Sequence, residues 1–202
     1  MIRETCCPSL GSVKAAVSRG TSRIELCEKL EIGGVTPSRD MIESALEIAG
    51  KTPVNVLIRP RGGDFVYSEA EAAQMLESIS LCKEIGVNGV VIGALLPDGN
   101  VDKELTLRLA DAARPLHVTF HRAIDESKNY MQAIQDVISI GIERILTSGH
   151  SGNAYEGRFM LREAVELAAG RTVIMPGCGI TDDNLEEIAR VTGASEFHGS
   201  RI

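Results

Sequence analysis

Three observations predict that this sequence folds as a single α/β domain of the TIM (β/α)8 barrel class. Eight short apolar runs alternate with seven amphipathic stretches along the 202 residues. Before four of the runs, a helix-ending glycine stands at one fixed spacing from the first apolar strand position. Positions 88, 116, 144 and 172 lie 28 residues apart, close to the length of one strand–helix unit. Eight strands separated by helices is the count of a closed parallel barrel.

The amino-terminal half contains the first four predicted units. Runs rich in Ile, Val and Leu predict strands over 2–6, 23–27, 54–59 and 89–93, and they suit a sheet that is buried on both faces. Helical periodicity follows each run, over 10–19, 39–49, 69–85 and 102–113. The third helix begins after Ser68, an N-cap residue, with Glu69 and Glu71 in its first turn.

The carboxyl-terminal half predicts strands over 117–121, 144–148, 173–175 and 196–199, with helices over 130–140, 157–169 and 182–191. The four junction glycines, Gly20, Gly86, Gly141 and Gly193, precede strands two, four, six and eight. The sequence ends at Ile202, so the eighth outer helix is absent or truncated. We expect the seam between strands one and eight to expose apolar surface, which predicts a homo-oligomer, a dimer or a tetramer.

Composition excludes several classes of protein. The net charge of −7 argues against non-specific nucleic-acid binding, and no basic stripe contradicts it. No signal pattern and no apolar run of membrane-spanning length occur, so no membrane partner is expected. Five cysteines, an odd number, predict free thiols in a reducing cytoplasm.

The repeat also predicts which side chains face the barrel interior. Because alternate residues of a strand share a face, counting from the junction glycines aligns the strands with one another. In barrels of this type the active site forms at the carboxyl-terminal ends of the strands. The side chains predicted to line the interior near that end are Glu4, Cys6, Glu25, Cys27, Arg59, Arg61, Val91, Gly93, Thr119, His121, Leu146, Ser148, His198 and Ser200.

Strands one and two carry the same pattern, Glu4-Thr5-Cys6 and Glu25-Leu26-Cys27. On neighbouring parallel strands the two thiols would face a common space. Soft thiolates at such a separation can bind Cu(I), which accepts two sulfur ligands. The alternative is that both cysteines are small buried apolar residues, which is the commonest role of a free cysteine.

A second candidate set combines carboxylates with histidines. Glu25, His121 and His198 could perform general acid–base chemistry at the top of the barrel. Buried carboxylates need partners, so an interior ion-pair network that includes Glu4 and Arg59 is the structural alternative.

Strand-end loops supply candidate ligand-binding groups. Arg59, Arg61 and Asp64 lie where strand three gives way to a helix, a position that suits a polar ligand. A structural Arg61–Asp64 ion pair in a tight turn is the alternative. Ser148 follows strand six in the interior phase. Gly177, Gly179 and Ser200 lie in the loops after strands seven and eight, which bind phosphate in many barrels, although plain turn geometry also explains the glycines.

At this point the motifs resemble those of the copper homeostasis protein CutC family, across nearly the whole chain. The most distinctive is Ile58-Arg59-Pro60-Arg61-Gly62-Gly63-Asp64-Phe65. Others are Arg23-Ile24-Glu25-Leu26-Cys27, Gly33-Gly34-Val35-Thr36-Pro37-Ser38, Thr119-Phe120-His121-Arg122-Ala123, Arg144-Ile145-Leu146-Thr147-Ser148-Gly149 and Glu196-Phe197-His198. The resemblance implies a TIM barrel, a cytoplasmic location, a role in copper handling, and Cys6 and Cys27 as the copper ligands.

Three departures from the family pattern are visible. Gly177-Cys178-Gly179 replaces a glycine triplet, Ile124 replaces the aromatic residue before Asp125, and a carboxyl-terminal helix and tail of longer members are absent. Two functions therefore stand side by side. The first is Cu(I) binding or trafficking through Cys6 and Cys27. The second is a barrel enzyme that acts on a small anionic or sugar-like substrate. A purely structural polar interior, with the protein as a scaffold, is a third reading.

Overall fold

The computed structural model describes residues 1–202, which form eight strands and seven α-helices in strict alternation. The strands are β1 (Ile2–Cys7), β2 (Arg23–Leu26), β3 (Val54–Leu57), β4 (Gly89–Ile92), β5 (His117–Phe120), β6 (Arg144–Thr147), β7 (Val173–Pro176) and β8 (Glu196–Gly199). The helices are α1 (Leu10–Ser18), α2 (Arg39–Ala49), α3 (Glu69–Ile85), α4 (Lys103–Ala113), α5 (Tyr130–Ile140), α6 (Arg158–Ala168) and α7 (Asp182–Thr192). Two short 3-10 helices, Leu30–Ile32 and Arg122–Glu126, lie in strand-end loops.

All eight strands are parallel and follow one another around a nearly closed barrel. The hydrogen-bonded order is β7-β6-β5-β4-β3-β2-β1-β8, so the first strand pairs with the last. Only the step between β7 and β8 is not a paired ladder. The predicted TIM barrel is thereby confirmed.

Five of the predicted strands, the second to the sixth, run one or two residues too far at their carboxyl ends, whereas the first and the seventh end one residue too early. His121, for example, is expected in the fifth strand, yet the strand ends at Phe120. Its ring Nδ1 accepts a hydrogen bond from the Ala123 backbone N–H at 3.1 Å and so caps the 3-10 helix Arg122–Glu126. Local side-chain bonds of this kind draw the backbone out of the extended conformation.

The strand register confirms the predicted interior phase. Glu4 lies beside Arg23 and His198, and Cys6 lies beside Glu25. The main apolar core lies between the helices and the outer faces of the strands. Inside the barrel, by contrast, only Cys6, Cys27, Leu57 and Val91 form an apolar cluster, and most of the remaining space is polar.

The seam between α1 and α7 differs from the expected apolar surface. The groove there is lined mainly by polar residues, including Arg3, Arg19, Asp182 and Arg201. Ile202 is buried, and its carbonyl accepts a hydrogen bond from Thr5 Oγ1 at 3.2 Å. The last residue of the chain therefore packs against β1, while Ile2 at the start of that strand stays exposed. None of the helices combines the length and apolar character needed to cross a bilayer.

Candidate functional site

A cavity of about 910 Å³ opens at the carboxyl-terminal ends of the strands. Its volume lies in the range of sites for small molecules and far exceeds that of an ion. The sequence-predicted residues that line it are Cys6, Glu25, Arg59, His121, Gly179, His198 and Ser200. The β2–α2 loop adds an unpredicted rim, which includes Leu30, Ile32 and Gly33.

The two predicted metal ligands lie side by side in the barrel interior, where Cys6 lines the cavity and Cys27 lies behind its wall. The Sγ atoms of Cys6 and Cys27 are 3.9 Å apart, and both residues are buried against Leu57 and Val91. Contact with the Cys27 thiol, then burial, then the nearby Glu25 carboxylate raise the pKa of Cys6 far above its ordinary value. These surroundings therefore favour the neutral thiol form of Cys6.

An acid–base pair lies beside the thiols. His198 Nε2 is 2.9 Å from Glu25 Oε2 and 4.0 Å from Glu4 Oε1. Burial alone would lower the pKa of His198, but the attraction of Glu25 outweighs burial and raises it. Conversely, burial would raise the pKa of Glu25, and the charge of His198 lowers it. The protonated ring of His198 and the ionised carboxylate of Glu25 therefore stabilise each other.

Beneath the site a buried ion-pair network fills the lower half of the barrel. Arg23 pairs with Glu4 and, at 2.6 Å, with Glu196, which also bonds Arg144 at 2.6 Å. Asn55 Nδ2 donates to Glu4 at 3.4 Å. The expected Glu4–Arg59 pairing is therefore wrong, because Arg23 occupies the adjacent register position on β2. Counting alternate residues back to the starts of β2 and β6 would have placed both Arg23 and Arg144 in the interior.

Arg59 lines the cavity wall but reaches no carboxylate. Its guanidinium donates to the carbonyls of Ile32 at 3.3 Å, Gly34 at 3.0 Å and Gly63 at 2.7 Å. It also stacks on Phe65, 4.7 Å from the ring centroid. The Nε atom is buried without a partner. Arg59 thus connects two strand-end loops and leaves its positive charge uncompensated.

Arg61 and Asp64 lie outside the cavity. Arg61 Nη2 bonds Asp64 Oδ1 at 3.0 Å and the Val66 carbonyl at 2.7 Å, while Nε bonds Glu71 Oε1 at 2.5 Å. This geometry matches the structural ion pair that the sequence left open. A ligand role for either residue stays a prediction, and neither residue lines the cavity.

His121 faces the cavity as a neutral ring. It packs against Phe65, with ring centroids 4.9 Å apart. Burial, followed by repulsion from Arg59, lowers the pKa of His121 to about 4. Because Nδ1 accepts from Ala123, the ring proton belongs on Nε2, which is buried and has no partner. His121 can therefore donate a hydrogen bond into the cavity.

The remaining predicted ligand residues divide into two groups. Gly179 and Ser200 line the cavity and stay ligand-binding predictions. Ser148 does not line it, since its N–H donates to Asp125 at 2.9 Å and its hydroxyl to the Ser151 carbonyl at 2.6 Å. Gly177 serves close packing, because a Cβ there would lie 2.4 Å from Leu146 Cδ1.

Asp125 is an organising residue that the sequence analysis only touched on. Its carboxylate accepts hydrogen bonds from Thr147 Oγ1 at 2.6 Å and from the His150 N–H at 3.0 Å, and it pairs with Arg122 at 3.0 Å. It therefore holds the loops after β5 and β6 together at the cavity rim. In the sequence, this role is indicated by the position of Asp125 just after the strand-end residues His121 and Arg122.

Comparisons with known proteins place the chain in one family. The family profile described as the CutC family matches residues 1–202. A copper homeostasis protein cutC homolog from Mus musculus is 46% identical over 199 residues, covering 98% of this chain and 73% of the relative. A family protein CutC from Parabacteroides distasonis is 47% identical, covering 98% of this chain and 82% of the relative.

Solved structures agree. A crystal structure of CutC from Streptococcus agalactiae superposes with a TM-score of 0.94 and 34% identity, covering 100% of this chain and 99% of that chain. An aldolase, QR15, superposes with a TM-score of 0.70 at 15% identity over 99% of this chain and 89% of that chain, which shows the fold alone. On the full-length profile match and relatives above 45% identity, this chain belongs to the CutC family.

Proposed function

We propose that this chain acts in copper homeostasis by binding Cu(I) through Cys6 and Cys27 inside the barrel. Relatives from mouse and human that are 46% identical to it bear the name copper homeostasis protein cutC homolog. Thiolates are the ligands that Cu(I) prefers, and the sulfurs of these two cysteines lie 3.9 Å apart in the barrel interior. We therefore assign the copper-related role for which the relatives are named to this one pair of side chains.

The distance between the two sulfurs carries the proposal. At a metal–sulfur bond of about 2.3 Å, sulfurs 3.9 Å apart subtend roughly 115° at a shared ion. A linear two-sulfur site needs a separation of about 4.6 Å by the same bond length. The observed spacing thus suits one ion held by both thiolates, after a small opening or with a third ligand beside them.

The surroundings of the thiols support a soft monovalent ion. Leu57 and Val91 give the two sulfurs an apolar wall, which excludes water from one side. Loss of the thiol protons makes a two-thiolate Cu(I) unit carry one negative charge. The imidazolium of His198 lies nearby on the cavity floor and can compensate that charge.

A Cu(I) competition titration under reducing conditions tests the proposal. Wild type should bind one Cu(I) tightly, and the Cys6→Ser/Cys27→Ser variant should lose that tight site. Cys82→Ser is the matched control, because Cys82 is equally buried but belongs to α3. Equal affinity in wild type and the double variant would remove the thiol pair from consideration.

The proposal also includes a cytoplasmic location and a homo-oligomeric state. All five cysteines are free thiols, which suits a reducing cytoplasm. Two features of the chain bear on assembly, the polar groove between α1 and α7 and the apolar residues exposed on α6, Phe159 and Met160. Light scattering on the purified protein would measure whether it is the homo-oligomer that we expect.

A second function, binding or turnover of a small anionic or sugar-like substrate, is favoured by one observation. Arg59 is a buried guanidinium that pairs with no carboxylate and lines a cavity of about 910 Å³. A buried charge without a counter-ion is costly, so an anionic ligand would stabilise it. In this reading Arg59 binds the substrate, while Glu25, His121 and His198 supply hydrogen bonds and proton transfer.

A thermal-shift screen with small carboxylates, phosphate monoesters and neutral sugars tests this second function. Anions should raise the melting temperature of wild type, and Arg59→Met should remove the effect. Arg39→Met is the control, because Arg39 is an exposed arginine on α2, far from the cavity lining. Stabilisation by neutral sugars alone would rule out the anionic reading.

A further inference from the structure

We propose that Cys6, Glu25 and His198 form a second metal site, with mixed sulfur, oxygen and nitrogen ligands, for a divalent ion of the Zn²⁺ class. The site goes beyond Cu(I) binding and shares only the Cys6 thiolate with the Cys6–Cys27 pair. Cys27 is not one of its ligands. The two sites are therefore alternatives on one cavity floor.

The three ligand atoms already surround a common point. The Sγ of Cys6, a carboxylate oxygen of Glu25 and a ring nitrogen of His198 all lie within 4.8 Å of one another. Ligand atoms around a tetrahedral Zn²⁺ ion stand roughly 3.3–3.6 Å apart, given bonds of about 2.0–2.3 Å. The His198–Glu25 separation of 2.9 Å has to widen by a few tenths. The thiol has to move inward by at most about 1.5 Å, which a side-chain adjustment can supply.

Three buried polar atoms at this point lack a well-aligned hydrogen bond. They are Glu25 Oε2, His198 Nε2 and Glu4 Oε1, and the His198–Glu25 ion pair is their one close contact. Buried polar atoms in folded proteins are normally hydrogen-bonded. Here two carboxylate oxygens lie around one imidazole nitrogen, at 2.9 Å and 4.0 Å, without aligned geometry. A metal ion bound between Glu25 Oε2 and His198 Nε2 would give both atoms a partner at once.

The fourth side of the site is open. Cys6, Glu25 and His198 all line the 910 Å³ cavity, so solvent or a small anion can approach from above. Three protein ligands with one free position is the arrangement of catalytic rather than structural zinc sites. Below the ligands, Glu4 is held by Arg23 and Asn55, which fixes the acidic floor on which His198 rests.

Charge balance favours a divalent ion in this set. A thiolate and a carboxylate supply two negative charges, so the complex with a divalent ion and a neutral imidazole has no net charge. Glu4 does not disturb that balance, since Arg23 compensates it. A neutral complex avoids the cost of an unpaired charge in the barrel interior.

Anaerobic Co²⁺ titration tests the proposal, because Co²⁺ reports thiolate ligation by charge-transfer absorption and tetrahedral geometry by its visible bands. Wild type should show both signals, and Zn²⁺ should displace Co²⁺. Cys27→Ser should keep the Co²⁺ spectrum while losing Cu(I). Glu25→Gln should weaken Co²⁺ binding by roughly tenfold or more and keep the Cu(I) site. His198→Asn should weaken Co²⁺ binding to the same extent and Cu(I) binding much less, because Cu(I) loses only a compensating charge and no ligand. Cys6→Ser should lose both ions, and Cys82→Ser should lose neither.

Several results would overturn the mixed site while leaving the Cu(I) proposal intact. These are the absence of Co²⁺ binding by wild type, a Co²⁺ spectrum without the thiolate band, and loss of Co²⁺ binding in Cys27→Ser. Should an interior variant fail to fold, wild type alone still decides. Protein preloaded with one Cu(I) must exclude Co²⁺, because Cys6 is shared. Simultaneous binding of both ions would contradict the proposal.

Discussion

Gly93 lies directly against the ring of His121. A Cβ at position 93 would stand 2.5 Å from both Cε1 and Nδ1 of that ring and 3.2 Å from the Cβ of Ala123. The place of the histidine at the cavity wall therefore depends on the absence of a side chain at the end of β4. The constraint is steric, since the backbone of Gly93 does not adopt a positive φ angle.

Gly93→Ala should destabilise the protein and displace the His121 ring. Overpacking of this kind costs about 1–3 kcal/mol in well-packed interiors. Urea denaturation would measure the loss, and the imidazole resonances of His121 would report the movement. Gly11→Ala is the matched control, because Gly11 is exposed in α1 with its nearest neighbour 3.8 Å from the added Cβ. It should stabilise the helix by about 0.5–1 kcal/mol, and an unchanged stability of Gly93→Ala would contradict the steric account.

The lowered pKa of His121 predicts a pH-dependent stability. The ordinary pKa of 6.5 falls to about 4 in the folded protein, so the unfolded chain binds more protons between these values. The neutral ring of His121 therefore contributes fully to the free energy of unfolding above pH 6.5. As the pH falls towards 4, that free energy decreases by about 3 kcal/mol in total. His198, whose pKa is raised, acts in the opposite sense and only above pH 6.5.

The measurement is the difference in unfolding free energy between wild type and His121→Asn from pH 4 to 8. Asparagine can keep the hydrogen bond to the Ala123 N–H without titrating. The difference should rise from pH 4 to 6.5 and then stay level, because the effect of His198 is common to both proteins. A flat difference throughout would mean that His121 is not a buried neutral ring.

Much of this site could be predicted from the sequence, because parallel strands in a repeating barrel share one side-chain phase. That phase correctly places Cys6, Cys27, Glu25 and His198 on one interior floor. It fails at Arg61, four residues past the end of β3, where the loop turns the side chain towards Asp64 and Glu71. Arg59, only two residues past that end, still follows the alternation and lines the cavity. The partner of Glu4 was missed for another reason. Arg23 stands at a strand start, whereas the site is predicted at the carboxyl-terminal ends of the strands.

Arg23→Met should be among the most damaging single substitutions. It leaves the fully buried Glu4 without a close cationic partner, since only Asn55 at 3.4 Å and His198 at 4.0 Å remain. Glu196 keeps Arg144. Removing one member of a buried pair costs about 3–5 kcal/mol. The double variant Glu4→Gln/Arg23→Met should recover part of the loss, which a double-mutant cycle in urea would quantify.

The control for this cycle is Arg39→Met. Arg39 forms ion pairs with Glu43 and Glu84 on the surface, where water and salt screen the charges. Its replacement should change stability little. Comparable losses at Arg23 and Arg39 would mean that the interior network contributes no more than a surface pair.

Arg61→Gln should separate the two arginines of the third strand-end loop. Arg61 donates to Asp64, Val66 and Glu71 but does not line the cavity, so Cu(I) affinity and the stabilisation by anions should stay at wild-type values. The loop itself should loosen, because the guanidinium that joins its two ends to α3 is gone. Hydrogen exchange should therefore become faster at residues 64–68, where the Val66 N–H now donates to Asp64 at 3.1 Å. Arg59→Met, by contrast, should lose the stabilisation by anions. Loss of that stabilisation in Arg61→Gln instead would assign Arg61 a direct contact with the ligand and imply that the loop closes over the cavity when it is filled.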